Sequence, residues 1–481
     1  MRIRVSILSK ILSAFIILAV SLSSHAYEIP EKDWGIAAGI RTAKIPFKAK
    51  DESVKDFIPL MFYDGDTFFV RGLSGGIKLY DKDEWQFSLF GRYRYFDIPA
   101  EYQNLAQGNA LDAGVQLKYR FNSDLEANIE LLTDDESRYY SSLNTRYRWE
   151  SGSWELLPYA TLRIKSADFN DHYFGLDGFI DPNNPADTFT NKIGSGYDLT
   201  VGSEIRYHVA SNFYLLGRAQ LTTLDSNTRD SASIDNGTFG EIYMGIAFFN
   251  DKKKAKAASL KAKPYIRVSR GWGTPSNMSD ILALDWEDDV QNSEISSIFY
   301  GHPIADSLFG YEWIDIYMTT GYVYHHSADF YQQTLQPGTG INTAELATVP
   351  ENTCDGSTPC TLSYQGLPTH EFVLGIKAYF NIKWPVLWRI GVAEGLSYID
   401  TVSDLEQREM DRKGYRSSNL MNYIDITADL SLGDTFGVKS MNDLFLGVGI
   451  HHRSSIFESS SAFGRIKGGS NFNSIYMQYH W

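Results

Sequence analysis

The chain has 481 residues and a formal net charge of −15, with 43% hydrophobic and 14% aromatic residues. The acidic balance argues against nucleic acid as a partner, and no run of 18 or more apolar residues follows the N-terminus, which excludes a helical membrane bundle. The length suits two domains or one large barrel, and a β-barrel remains open because its strands hide an apolar band behind alternation.

Arg2, Arg4 and Lys10 precede an apolar run from Ile11 to Leu22, and Ser24-His25-Ala26 places small residues for cleavage. This pattern predicts a signal peptide over residues 1–26 and a mature chain starting near Tyr27. No cysteine lies near that site, so a lipoprotein anchor is not expected.

The next segments alternate as membrane strands should. From Ala113 to Phe121, the residues Ala113, Val115, Leu117, Tyr119 and Phe121 form one face, and Gly114, Gln116, Lys118 and Arg120 form the other. Tyr197 to Val209 repeats this with Tyr197, Leu199, Val201 and Ile205 against Asp198, Thr200, Glu204 and Arg206. Trp85 to Tyr95 follows the same rule, with Phe90 as its one exception. Such strands exceed the usual length in a soluble sandwich, so the prediction is a membrane-spanning antiparallel barrel with a wet interior.

Ile242 to Phe249 reads as a closing strand, and Asn250-Asp251-Lys252-Lys253-Lys254 with the following residues reads as a linker over 251–263. A barrel with an even strand number ends on the periplasmic side, where such a linker can join a second barrel. The expected fold class is therefore all-β: two transmembrane barrels in tandem, the first over residues 27–250 with about ten to twelve strands, the second over residues 264–481 with about eight. The rival is one barrel of about twenty strands.

In the second half, strands are expected near 264–271, 292–302, 311–325, 368–382, 385–399, 419–432, 441–455 and 469–481. Connections alternate short and long, which sets the long loops outside the cell. Cys354 and Cys360 bracket Asp-Gly-Ser-Thr-Pro in one long loop and suit a small disulfide staple. His325, His326, His451 and His480 lack metal-ligand spacing and read as interface histidines. No phosphate-binding glycine loop stands out, and no cofactor is indicated.

Trp34-Gly35-Ile36-Ala37-Ala38-Gly39, Pro59, Tyr63, Gly75-Gly76, Leu157-Pro158-Tyr159, His172-Tyr173-Phe174-Gly175, Leu224 and Asp230-Ser231 occur in the order seen in the MipA/OmpV family, the MltA-interacting proteins. The first half resembles that family over residues 27–250, although Ala232-Ser233-Ile234 stands where family members commonly carry a proline. The resemblance implies an outer-membrane barrel of a Gram-negative-type bacterium, a scaffolding or surface-binding role, and peptidoglycan-processing enzymes as partners.

In the last hairpin, Leu444, Leu446, Val448 and Ile450 form an apolar stripe that continues into His452 and Ser454. Polar groups on a lipid-facing surface lack water and need partners, and a nucleophile with its base is one such pairing. The other reading places both at the polar interface beside Arg453. The His-x-Ser pair near the outer end of the penultimate strand of eight resembles, more weakly, lipid A deacylases of the PagL type. That likeness implies Ser454 as nucleophile and His452 as base, with lipid A as substrate. The family's acid lies on the following strand, but residues 469–481 hold no Asp or Glu, which leaves Glu458 in the loop or Glu394 two strands away. Residues Gly468-Gly469-Ser470-Asn471 could supply backbone donors.

Three functions follow: an envelope scaffold whose loops bind partners or lipopolysaccharide, an acyl-ester hydrolase in the second barrel, and a pore suggested by inward charges such as Lys118 and Glu204.

Overall fold

The computed structural model describes residues 32–481 except 50–51, 96, 100–109, 182–183, 211, 252–259, 307–311, 336–358, 414–416 and 456–468. The predicted signal peptide, most of the predicted linker, Cys354 and Glu458 lie outside the described residues.

The first half forms β1 (Lys32–Lys44), β2 (Ser53–Asp64), β3 (Phe68–Gly72), β4 (Ser74–Lys82), β5 (Trp85–Arg94), β6 (Ala110–Arg120), β7 (Leu125–Thr133) and β8 (Tyr139–Tyr147). It continues with β9 (Trp149–Ser151), β10 (Trp154–Lys165), a loop hairpin of β11 (Ile180–Asp181) and β12 (Asn184–Thr188), then β13 (Gly196–Ala210), β14 (Phe213–Leu224) and β15 (Thr238–Asp251). All pairs are antiparallel, and apart from closure between β15 and β1 each strand of the ring pairs with the next strand of the ring in chain order. β1 bonds both β2 and β15, and β10 bonds both β8 and β13, so the sheet closes. Because β9 prolongs β8 along β10, the 13-stranded sheet has one fewer position around the ring and is a twelve-stranded barrel.

The second half forms β16 (Tyr265–Thr274), β17 (Glu294–Asp306), β18 (Ile314–His325), a loop hairpin of β19 (Tyr331–Leu335) and β20 (Cys360–Tyr364), β21 (Thr369–Ile382), β22 (Trp388–Ile399), β23 (Leu420–Ser431), β24 (Leu444–Ser454) and β25 (Gly469–His480). Eight of these close into a separate barrel when β16 pairs with β25. Two barrels are thus present, and the single ring of about twenty strands is not formed.

Alternation decides which face meets lipid. On β6, Gln116, Lys118 and Arg120 are buried in the lumen, whereas Leu117 points outward and is 42% exposed. A one-residue slip would put Lys118 and Arg120 into hydrocarbon at about 2–4 kcal/mol each near mid-depth, so register is strongly specified. Phe90, the exception in β5, also faces inward: it joins a core cluster with Leu132, Tyr140 and Phe169, and Arg92 lies over its ring at 5.2 Å. Outward aromatics gather at the short-turn ends, as in the pairs Trp85–Tyr119 and Trp154–Tyr207, each with ring centroids 4.7 Å apart.

Neither lumen is empty. In the first barrel Arg94 pairs with Asp112 at 2.7 Å and Arg120 with Asp81 at 2.7 Å. In the second, Asp425 accepts from Arg267 at 2.7 Å and Lys377 at 2.5 Å, and Arg389 grips Asp429 through two nitrogens at 2.7 and 2.8 Å. Each of these buried charges therefore meets its opposite, which is what makes its burial tolerable. Gly39 and Gly245 face each other across β1 and β15, where an added Cβ would fall 2.4 Å from backbone oxygen and 2.7–2.9 Å from the Tyr243 ring or hydroxyl. Both stay glycine because the facing backbone, with Tyr243 beside it, leaves no room for a Cβ.

The barrels touch near their short-turn ends. Ile36 and Phe248 on the outside of the first pack with Ile304, Ala305 and Ile316 of the second, and Asn212 Nδ2 donates to the Ile304 carbonyl at 3.3 Å.

Candidate functional site

The last hairpin of the second barrel carries the residues singled out in the sequence. On β24 the odd positions enter the lumen, where Phe445, His451 and Arg453 are buried, and Leu446 and Val448 point outward at 42% and 57% exposure. His452 and Ser454 continue the outward stripe past its apolar part, as the alternation predicts.

The β24–β25 register sets His452 directly opposite Asn471. Their side chains meet: His452 Nδ1 lies 2.6 Å from Asn471 Oδ1, and Asn471 Nδ2 donates to the Ser276 carbonyl at 2.8 Å. Since the amide nitrogen is committed to a carbonyl, its oxygen accepts, so the proton of the imidazole sits on Nδ1. His452 Nε2 is then the basic nitrogen. Ser454, two residues further along the same face, lines with His452 and Asn471 a cavity of about 630 Å³ whose other walls include Ser276, Tyr331 and Arg408. Ser454 makes no side-chain hydrogen bond among the described residues.

The carboxylates considered in the sequence sit elsewhere. Glu394 on β22 pairs with Ile424, which pairs with His452, so Glu394 is two strands away, or about 10 Å at the usual strand spacing. Its Oε1 is buried and has no hydrogen-bond partner. Glu458 lies outside the described residues, as does Cys354. Asn471 was recognised in the sequence only for its backbone, because a carboxamide is not an acid; the signal that marks it is its cross-strand register with His452.

The inward neighbours form a second cluster. Glu371 accepts from His325 Nε2 at 2.8 Å, His451 Nε2 at 3.1 Å and Ser397 Oγ at 2.6 Å, and Arg453 pairs with Glu406 at 3.1 Å. His325 thus belongs to the lumen rather than to the membrane interface, and His451 faces inward too, as its place on the face opposite His452 predicts. The reason is the strand period, which turns each of them inward beside Glu371. His480 also faces inward, 2.8 Å from Arg389 through Nε2. Glu406 stands in the loop helix Asp404–Lys413, outside the strands, where burial raises its carboxyl above the ordinary range against the pull of Arg453. Among the described residues no group of three His, Cys, Asp or Glu side chains is placed to hold a metal ion.

Comparison with known proteins places the two barrels differently. Residues 35–249 match the family described as MltA-interacting protein MipA. The chain is similar to the MltA-interacting protein of Escherichia coli (strain K12), 23% identical over 257 residues that cover 50% of this chain and 98% of the relative. It is also similar to the protein named "Putative outer membrane protein YiaT" of the same organism, 20% identical over 222 residues covering 44% and 89%. Among solved structures, Pseudomonas aeruginosa OccK11 aligns over 95% of this chain and 98% of its own at 10% identity and a TM-score of 0.23. The protein resides in the outer membrane of a Gram-negative bacterium, and residues 35–249, which form its first barrel, match the MipA family, with the second barrel outside that match.

Proposed function

We propose that this protein is an outer-membrane scaffold whose first barrel docks a peptidoglycan-processing enzyme on the periplasmic side. The observation that carries this reading is the family match over residues 35–249, in a barrel whose lumen is crossed by ion pairs and ring clusters. A relative named for its interaction with MltA supports an enzyme of that class as partner. Charges on the inward faces are paired across the lumen, which weighs against a conducting pore. The test is retention of a purified membrane-bound lytic transglycosylase on the immobilised full chain in detergent. Retention above bare resin is expected, and no retention would overturn the reading.

A second reading is favoured by one specific bond, that of His452 to Asn471. In it the second barrel hydrolyses an acyl ester of lipid A at its outer, lipid-facing rim. Ser454 Oγ would attack the ester carbonyl as His452 Nε2 takes its proton, and the imidazolium would return that proton to the departing sugar hydroxyl. Water, deprotonated by the same nitrogen, would then release the acyl chain from Ser454. Asn471 would hold the imidazole in the needed tautomer, although a carboxamide stabilises the imidazolium less than a carboxylate. Mass spectrometry of lipid A from cells expressing the protein should show lost acyl chains that return in Ser454→Ala. Lipid A identical in both strains and in the empty host would end this reading.

A further inference from the structure

We infer that the periplasmic half of the first barrel's lumen is a binding chamber for a carboxylated amino-sugar fragment that enters from the periplasm. The lumen is divided toward the outer ends of its strands. Arg41 on β1 is 3% exposed and bonds three carboxylates at once, Asp56 at 2.9 Å, Glu241 at 2.7 Å and Asp97. Around this node Tyr243 is buried, Tyr159 donates to Gln220 at 2.5 Å, and Tyr95 lies under the Arg41 guanidinium with 4.8 Å between charge and ring centre. A solute from outside the cell meets this barrier first.

Below it lies a cavity of about 470 Å³ at the end of the barrel that carries the short turns, within the range of about 300–1,000 Å³ typical of small-molecule sites. Its rim is wet: the side chains of Arg146 and Arg148 are 45% and 35% exposed. The walls alternate rings and guanidinium groups. Phe62 and Phe249 pack at 5.3 Å, with Arg206 over Phe249 at 4.9 Å.

Every cation lining the chamber is an arginine. A guanidinium presents a planar fork of donors that matches a carboxylate, which an ammonium does not. Arg71 is the under-used one: its carboxylate contact is Asp64 at 3.5 Å, and it makes no side-chain hydrogen bond among the described residues. Its remaining donors are available to an incoming acid. An acyl chain would fit poorly, because it would strip water from these charges without replacing their hydrogen bonds. A sugar ring offers an apolar face to the aromatic walls and hydroxyls to the charges, and an attached carboxylate answers Arg71. This site is independent of whether the barrel docks an enzyme.

The experiment is a calorimetric titration of the full chain in detergent micelles with muramyl dipeptide, an amino sugar bearing carboxylate-containing lactyl-peptide, and with diacetylchitobiose, which lacks the carboxylate. Saturable binding of the first is expected, with affinity at least tenfold weaker for the second. Arg71→Gln and Phe62→Ala should each weaken muramyl dipeptide binding tenfold or more. Each variant is first checked for a folded barrel by heat-modifiable mobility on gels, and Arg146→Gln replaces any that fails. Absence of saturable binding, equal affinity for the two sugars, or an unchanged affinity in Arg71→Gln would overturn the inference.

Discussion

Asp425→Ala tests how the lumen of the second barrel is held. Asp425 is the shared acceptor of Arg267 and Lys377, and both cations are buried to 5% or less of their side-chain surface. After the substitution Arg267 keeps a 3.5 Å contact to the Tyr423 hydroxyl, and Lys377 loses its carboxylate altogether. Removing one partner of a buried pair costs about 3–5 kcal/mol, because the other charge stays desolvated. Two stranded cations push the effect to the upper end, while loss of the lysine proton caps it. A destabilisation of about 4 kcal/mol lowers the folded-to-unfolded ratio by roughly a thousandfold. The assay is a urea series on the full chain in detergent, read as the folded fraction by heat-modifiable mobility. Adding Lys377→Met to Asp425→Ala should recover part of the loss. A change under about 1 kcal/mol in the single variant would refute the claim that this carboxylate neutralises the lumen.

Glu394→Leu should stabilise the second barrel by about 1–3 kcal/mol in the same assay, since it removes a buried carboxyl oxygen with no partner on an outward face; a loss of stability would contradict the assignment. Asp134, in the turn after β7, takes bonds from Arg138 at 2.7 Å and Tyr173 at 2.8 Å. Burial opposes its ionisation, but these bonds hold its carboxyl below the ordinary range. Its contribution is therefore present above the usual carboxylate pKa and lost as pH falls through the lowered one, so amide protection in this turn should drop on acidification and be low already at neutral pH in Asp134→Asn. Cys354 and Cys360 should resist alkylation until a reductant is added, then gain two labels by mass; labelling without reductant would exclude the staple.

Much of the architecture was legible because strand alternation is a local property. The faces of Ala113–Phe121 and Tyr197–Val209, the eight strands of the second half and the outward placement of His452 and Ser454 all follow from period two and connection length. What could not be read is which side chain faces which across a closed ring. Phe90 looked like an error in its strand until the lumen supplied Tyr140 and Phe169. His325 and His451, 126 positions apart, converge on Glu371, and Arg41 gathers carboxylates from three separate segments.

By itself the sequence determined that this is a membrane barrel, where its strands run and which residues of each strand turn outward, since these depend on neighbours within one strand. Only the tertiary structure decided between the two expected barrels and their single-ring rival and fixed the first ring at twelve strands, and only it showed that Asn471 is the partner of His452 and that Arg41 divides the first lumen. Those depend on closure and on the register between strands, which couple residues far apart in the chain.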